Sequence, residues 1–363
     1  MDPSKYAAHP VPSLEDWHDL WRAWDTVTRD MIPEEELLGK PIKLRNACIF
    51  YLGHIPTFMD IHLTRATRGK PTEPSYYPQI FERGIDPDVD NPEQCHAHSE
   101  IPDSWPPASE ILDFQDRVHV RLEKLYASGQ AFEDLRIARA MWLGYEHEIM
   151  HLETLLYMLV QSEKTLPPTG TIKPDFETMA YQAQRNAVKN EWFSIPEQTL
   201  EIGLDDPDDN SGPLHYYGWD NEKPKRIAQV AKFSAKARPI TNGEYAQYLE
   251  STGSNKLPAS WTDLKTANGQ HADINGHING TSAPSQTFLQ DKAVRTVYGS
   301  VPLWLALHWP ISASYDELRG CAKWMGGRIP TMEEARSIYQ YAEQLKRKEA
   351  DKALGKTIPA VNG

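Results

Sequence analysis

The chain has 363 residues, 40% of them apolar and 25% charged, with a net charge of −13. That length accommodates two globular domains, and the negative balance argues against nucleic-acid binding, which needs a basic stripe where only short clusters such as Lys346-Arg347-Lys348 occur. No apolar run approaches the roughly 20 residues of a membrane span, no signal-peptide pattern opens the sequence, and Cys48, Cys95 and Cys321 are too few and too widely spaced for a disulfide framework, so a soluble cytoplasmic protein is expected.

Ser13-Leu14-Glu15-Asp16 reads as a capping-box start, and Trp17, Leu20, Trp21 and Trp24 recur at three- and four-residue steps. They predict an amphipathic helix to about Met31, stopped by Pro33. A second helix is predicted from about Pro41, with Leu44, Cys48, Tyr51, Ile55, Phe58 and His62 along one stripe and Pro56 inside it as a kink-former. Residues 69–107, rich in Pro, Asp and Glu and without periodicity, read as an ordered functional loop or a lid. A third helix follows from Ser109 to about Gly129 on Phe114, Val118, Leu122 and Leu125, and a fourth from about Asp134 to Val160. Four helices around one apolar face predict a four-helix bundle, a fold that builds metal sites from facing helices.

After Pro167-Pro168-Thr169-Gly170 the texture changes to short strand-like pieces at 192–196, 200–204 and 227–233 among Asp-, Gly- and Pro-rich turns, with helices expected at 241–250, 314–325 and 331–354. The predicted architecture is α+β. A helical bundle spans 1–168, a linker 169–190, and a mixed, loop-rich domain 191–363.

The chemistry-bearing motif is His147-Glu148-Ile149-Met150-His151 within the fourth helix. Two histidines at i and i+4 share a helix face and form a chelate. As H-E-x-x-H the motif matches the zinc-protease helix, with Glu148 as general base. That reading requires a third ligand downstream, and the sequence after His151 supplies no glycine or histidine at the required spacing. Glu148 is then expected to orient a histidine or to lie in solvent. The best third ligand is His54, on the apolar stripe of the second helix. His62 is the reserve, and His96 and His98 form an alternative loop pair. A metal held by His54, His147 and His151 keeps open positions, and the donor set suits iron, zinc or copper.

Three segments resemble a known family: Leu52-Gly53-His54-Ile55-Pro56, the helix 144–154, and Tyr217-Gly218-Trp219-Asp220-Asn221-Glu222-Lys223-Pro224. They look like the fungal members of the ergothioneine-biosynthesis sulfoxide synthases. The second half agrees, since Pro239-Ile240-Thr241-Asn242-Gly243-Glu244-Tyr245 and Trp324-Met325-Gly326-Gly327-Arg328-Ile329-Pro330-Thr331 resemble segments of the formylglycine-generating-enzyme (sulfatase-modifying-factor) fold. The resemblance implies a DinB-like metal-binding bundle followed by an incomplete domain of that second fold, with His54, His147 and His151 matching the family's iron ligands. It implies Fe(2+) as cofactor and an O2-dependent reaction that joins the thiol of cysteine or a cysteine peptide to the imidazole of hercynine. Two departures are expected to matter. The family continues beyond the R-I-P-T segment into residues that contact substrate, so no catalytic residue is assigned here, and fungal members carry a methyltransferase domain ahead of the bundle. Met150 also stands where bacterial members carry a glutamine. A catalytically degenerate metal- or hercynine-binding paralogue or fragment, which keeps the fold and the metal but has lost turnover, is therefore the competing expectation, with zinc hydrolysis behind it.

Overall fold

The computed structural model describes residues 7–43, 45–82, 85–87, 95–97, 102–207, 213–264 and 284–353, with backbone alone at 85–87, 95–97 and 351–353. The chain divides into two compact units. One comprises 1–173, 203–224 and 296–299, and the other 174–202, 225–295 and 300–363.

The first unit is helical. Helix α1 (Leu14–Asp25) starts on a capping box in which the Ser13 hydroxyl accepts the Asp16 N–H and the Asp16 carboxylate accepts the Ser13 N–H. It buries Trp17, Leu20 and Trp24 and continues through a π turn at Thr26–Asp30. The Trp17 indole donates to the Tyr126 hydroxyl at 3.0 Å, which donates to the Pro12 carbonyl at 2.6 Å, so the polar edges of this aromatic contact are satisfied.

Helix α2 (Cys48–Thr67) starts later than the expected Pro41. The physical reason lies in the preceding loop. The Cys48 and Ile49 N–H groups donate to the Gly39 and Leu37 carbonyls, so loop carbonyls cap the helix and Ala47 stays extended. Leu44, expected on the apolar stripe, falls outside the described residues. Instead of one buried stripe, α2 is buried on every side from Cys48 to Thr57, which makes it the central helix of the bundle. Helix α3 (Tyr77–Phe81) interrupts the segment expected to be loop, with Pro78 in its first turn and Tyr77, Ile80 and Phe81 buried. Strands β1 (Ile85–Pro87) and β2 (Cys95–Ala97) pair antiparallel.

Helix α4 (Ala108–Ala127) buries Ile111, Phe114, Val118, Leu122 and Leu125 along one face, a turn α5 (Gln130–Glu133) follows, and α6 (Leu135–Leu159) starts on the Asp134 side chain. A buried ion pair fixes α4 on α2. Arg121 reaches Asp60 at 2.6 Å, and Asp60 also accepts the Thr72 N–H and hydroxyl. Side chains from α1, α2, α3, α4 and α6 form one continuous core.

The second unit begins with α7 (Phe176–Arg185), capped by Asp175, in the stretch expected to be linker. Four strands then form two antiparallel pairs. These are β3 (Trp192–Ile195) with β6 (Phe233–Lys236), and β4 (Gln198–Ile202) with β5 (Arg226–Val230). Helix α8 (Asn242–Thr252) carries a capping box between Thr241 and Glu244 and presents Tyr245, Ala246 and Leu249 to a small core. That core also takes Trp261 from β7 (Trp261–Asp263) and Leu289 from the turn α9 (Gln286–Leu289). Strand β7 pairs antiparallel with β8 (Lys292–Val294), which pairs antiparallel with β9 (Val301–Pro302), in a separate three-stranded sheet. Helices α10 (Tyr315–Trp324) and α11 (Met332–Ala353) complete the unit, and Gln198 of β4 donates to the fully buried Ser337 of α11. Among the described residues no helix is long and apolar enough to cross a membrane.

Candidate metal centre

Helix α6 places His147 and His151 one turn apart, with ring centroids 4.5 Å apart and planes at 69°. The facing helix α2 supplies His54, whose ring centroid lies 4.8 Å from each of them. One ligand atom from each of the three falls within 4.8 Å of the others. His54 and His147 are buried and His151 is half-buried.

Two glycines permit this approach. A Cβ at Gly144, three residues before His147, would collide with the Met59 sulfur of α2. A Cβ at Gly53 would enter the Phe81 ring. With that ring seated against Gly53, the Phe81 carbonyl accepts the Nδ1–H of His54 at 2.6 Å. A carbonyl can only accept, so His54 carries its proton on Nδ1 and presents the lone pair of Nε2 inward. That Nε2 lies 3.1 Å from the Nε2 of His147. Aromatic rings hold the set in place. Phe50 stacks on His54 at 5.0 Å, and Phe58 stacks on His147 at 3.7 Å with an interplanar angle of 13°.

All three imidazoles are neutral. Burial lowers His54 to about 4 against the upward pull of the Phe81 carbonyl. Burial, with neighbouring His54 and Arg45, lowers His151 to about 3. Burial and the adjacent histidines bring His147 well below its ordinary value. Neutral imidazole is the form that binds metal. The Nδ1 atoms of His147 and His151 are buried without partners, and two Nε2 atoms confront each other at 3.1 Å. A divalent transition ion on the inward nitrogens fits this donor set.

The structure thus brings His54, His147 and His151 together. His62 is not one of the converging ligands; its ring lies 4.4 Å from that of Phe58, tilted at 43°. The His96 side chain and all of His98 lie outside the described residues. Glu148 departs from both expectations for it. It is 4% exposed, so it is not solvated, and its Oε1 has no partner, nor has the Nδ1 of His147 or of His151. Burial pushes its carboxyl up to about 8, helped by the Asp25 carboxylate on α1. One residue along a helix turns about 100°, which takes Glu148 off the azimuth that the two histidines share. A general-base role on a metal-bound water is not what this placement provides.

Sequence reasoning missed Phe81 and the spatial role of Gly53 and Gly144. The density of aromatics in Tyr76-Tyr77-Pro78-Gln79-Ile80-Phe81 was the available signal for a packed turn inside the apparent loop.

Comparison with known proteins agrees with this site. The sequence profile of the DinB superfamily matches residues 15–155, which contain all three histidines. Ergothioneine biosynthesis protein 1 of Neurospora crassa is 59% identical over 99% of this chain, and the protein of the same name from Schizosaccharomyces pombe is 32% identical over 91%. Hercynine oxygenase of Mycolicibacterium smegmatis is 25% identical over 52% of the chain and 39% of its own length. The chain spans 42% of the length of each of the two fungal relatives. Over nearly its whole length the chain is thus similar to part of ergothioneine biosynthesis protein 1, and the stretch that carries the three histidines matches the DinB superfamily.

Proposed function

We propose that this chain carries the metal centre of an O2-dependent sulfoxide synthase of ergothioneine biosynthesis, acting in the cytoplasm, with Fe(2+) held by His54, His147 and His151. The observation that carries the reading is the convergence of three neutral imidazoles from two helices on one point, in a chain 59% identical to an ergothioneine biosynthesis protein. In the proposed reaction a cysteine thiol and the imidazole C–H of hercynine each lose a hydrogen as the sulfur–carbon bond forms. One oxygen atom of O2 ends on sulfur and the other leaves as water. Iron supplies the redox capacity that no side chain of the site possesses. The chain's own residues orient the ligand rings. Phe81 fixes the His54 tautomer, and Phe50 and Phe58 hold two ligand rings against rotation.

The same reading assigns the second domain, placed at 191–363 beyond a linker at 169–190, to the formylglycine-generating-enzyme type. Its support is the pair of segments at Pro239 and Trp324, which form the capped entry to α8 and the turn between α10 and α11.

The test is anaerobic loading with ferrous iron, then hercynine, cysteine and O2, with product followed by mass spectrometry. A hercynine-dependent sulfoxide supports the proposal. Stoichiometric iron binding with no such product overturns the synthase for this chain and leaves a metal-binding module.

A further inference from the structure

Residues 203–207 and 213–224 form a strap on the helical unit. The chain leaves β4 at Ile202 and re-enters β5 at Arg226, which are partners in that pair. At the neck the Leu204 N–H donates to the Glu222 carbonyl at 3.1 Å, and Gly203, with φ of 80°, has no room for a Cβ against the same carbonyl.

One carboxylate organises the strap. The Asp206 side chain has no exposure and accepts two bonds of 2.6 Å from the Arg139 guanidinium, one of 3.0 Å from the Gly218 N–H and one of 3.0 Å from the His215 Nε2–H. The Lys223 ammonium lies 3.4 Å away. Burial disfavours the charge, but these donors more than offset it and hold the carboxyl at about 2. Arg139 also donates to the Pro207 carbonyl and lies 4.9 Å over the Tyr217 ring.

Arg139 sits on α6, eight residues before His147 and on the helix that carries two of the candidate ligands. Gly218, held by its N–H, precedes Trp219, whose ring lies 6.4 Å from Phe58. Phe58 in turn lies flat on His147. A continuous line of contacts therefore runs from Asp206 to a ligand ring. We infer that Asp206 is a positioning residue for the metal centre, locking the strap to α6 so that Trp219 and Phe58 together form the aromatic wall beside His147 that governs how small molecules reach the metal. The inference rests on the metal-centre reading above.

The experiment uses the full chain loaded with cobalt(II) and titrated with azide, read in the visible absorption bands of the metal. Trp219→Ala and Asp206→Asn are each expected to tighten azide binding by about fivefold or more while cobalt affinity stays within about threefold. The double variant is expected to go no further than Trp219→Ala, because the two act through one wall. Unchanged azide binding in folded Asp206→Asn, or effects that simply add, would reduce Asp206 to a structural staple and overturn the inference. Should Asp206→Asn fail to fold, Arg139→Lys keeps the charge, loses the two-pronged contact and carries the same expectation.

A second readout needs no metal and separates the two readings. In protein labelled with 5-fluorotryptophan, the 19F resonance that vanishes in Trp219→Phe should shift in both Phe58→Leu and Asp206→Asn. Absence of cobalt binding in the wild type would refute the metal centre, and the fluorine spectrum would still decide the positioning role. A Trp219 resonance indifferent to Asp206→Asn would overturn it.

Discussion

At the scale of residues, the centre depends on groups that bind no metal. His54 is oriented by the carbonyl of Phe81, and that carbonyl is in place because residue 53 has no side chain. Gly53→Ala should therefore displace Phe81, free the His54 ring and weaken metal binding roughly 10–100-fold, the range typical of partners behind the ligands. Phe81→Leu keeps the carbonyl and shortens the side chain, so the double variant Gly53→Ala/Phe81→Leu should recover most of the affinity. A double variant no better than Gly53→Ala would show that the glycine acts in some other way. Alanine at His54, His147 or His151 should cost more than Gly53→Ala, and by comparable factors in competition with a chromophoric chelator. If His54→Ala alone binds normally, His54 is a buried packing residue. Glu148→Gln, by contrast, should leave metal affinity within about threefold, since neither His147 Nδ1 nor His151 Nδ1 is hydrogen-bonded to its carboxyl. This is also where sequence reasoning reached its limit. The i and i+4 spacing of His147 and His151 is a property of one helix and could be read directly. The Phe81 carbonyl is a backbone group 27 positions from its partner, and no side-chain pattern announces it.

At the scale of elements, legibility tracked the strength of the repeat. Helices α1, α4 and α6 have clean stripes, and Trp17, Leu20 and Trp24 or Phe114, Val118 and Leu122 were placed by spacing alone. Helix α2 is buried all round, so its stripe was only part of its contact surface, and its start was decided by loop carbonyls that periodicity does not see. Helix α3 is too short to show a period. The contact of α1 with α4 carries a pH dependence. His119 of α4 stacks on Trp21 of α1 at 3.8 Å, and burial, with Arg29 and His18 nearby, lowers its pKa to about 3. The unfolded chain takes up this proton below about 6.5 and the folded chain does not, so the stabilisation is complete above that pH and is lost as the pH falls toward 3. The loss should be on the order of 1 kcal/mol per pH unit within that window. Denaturant unfolding of wild type and His119→Phe between pH 7 and pH 4.5 checks the sign. The variant should lose less stability on acidification, and equal slopes would assign the acid sensitivity to other groups.

At the scale of the whole molecule, a single cut near residue 168 is the natural division of the sequence, yet the helical unit takes in 203–224 and 296–299 from further along the chain. Composition changes once along the sequence, whereas the strap is recruited by contacts that only the folded chain makes: Tyr217 is 2% exposed and belongs to the bundle core, and Asp206 partners Arg139 at 2.6 Å. A fragment of residues 1–173 would keep all three histidines and lose both of these contacts. It is expected to bind metal, because the ligands and the Phe81 carbonyl remain, but to unfold earlier than the helical unit of the full chain. Removing one partner of a buried, hydrogen-bonded ion pair costs about 3–5 kcal/mol where the remaining charge stays buried. Arg139 would gain some water in the fragment, so a drop on the order of 10 °C is the expectation by calorimetry. A synthetic peptide of residues 203–224 added in trans should return part of that drop, and the same peptide with Asp206→Asn should return less. A fragment as stable as the unit within the full chain would mean that the strap rests on the bundle without supporting it.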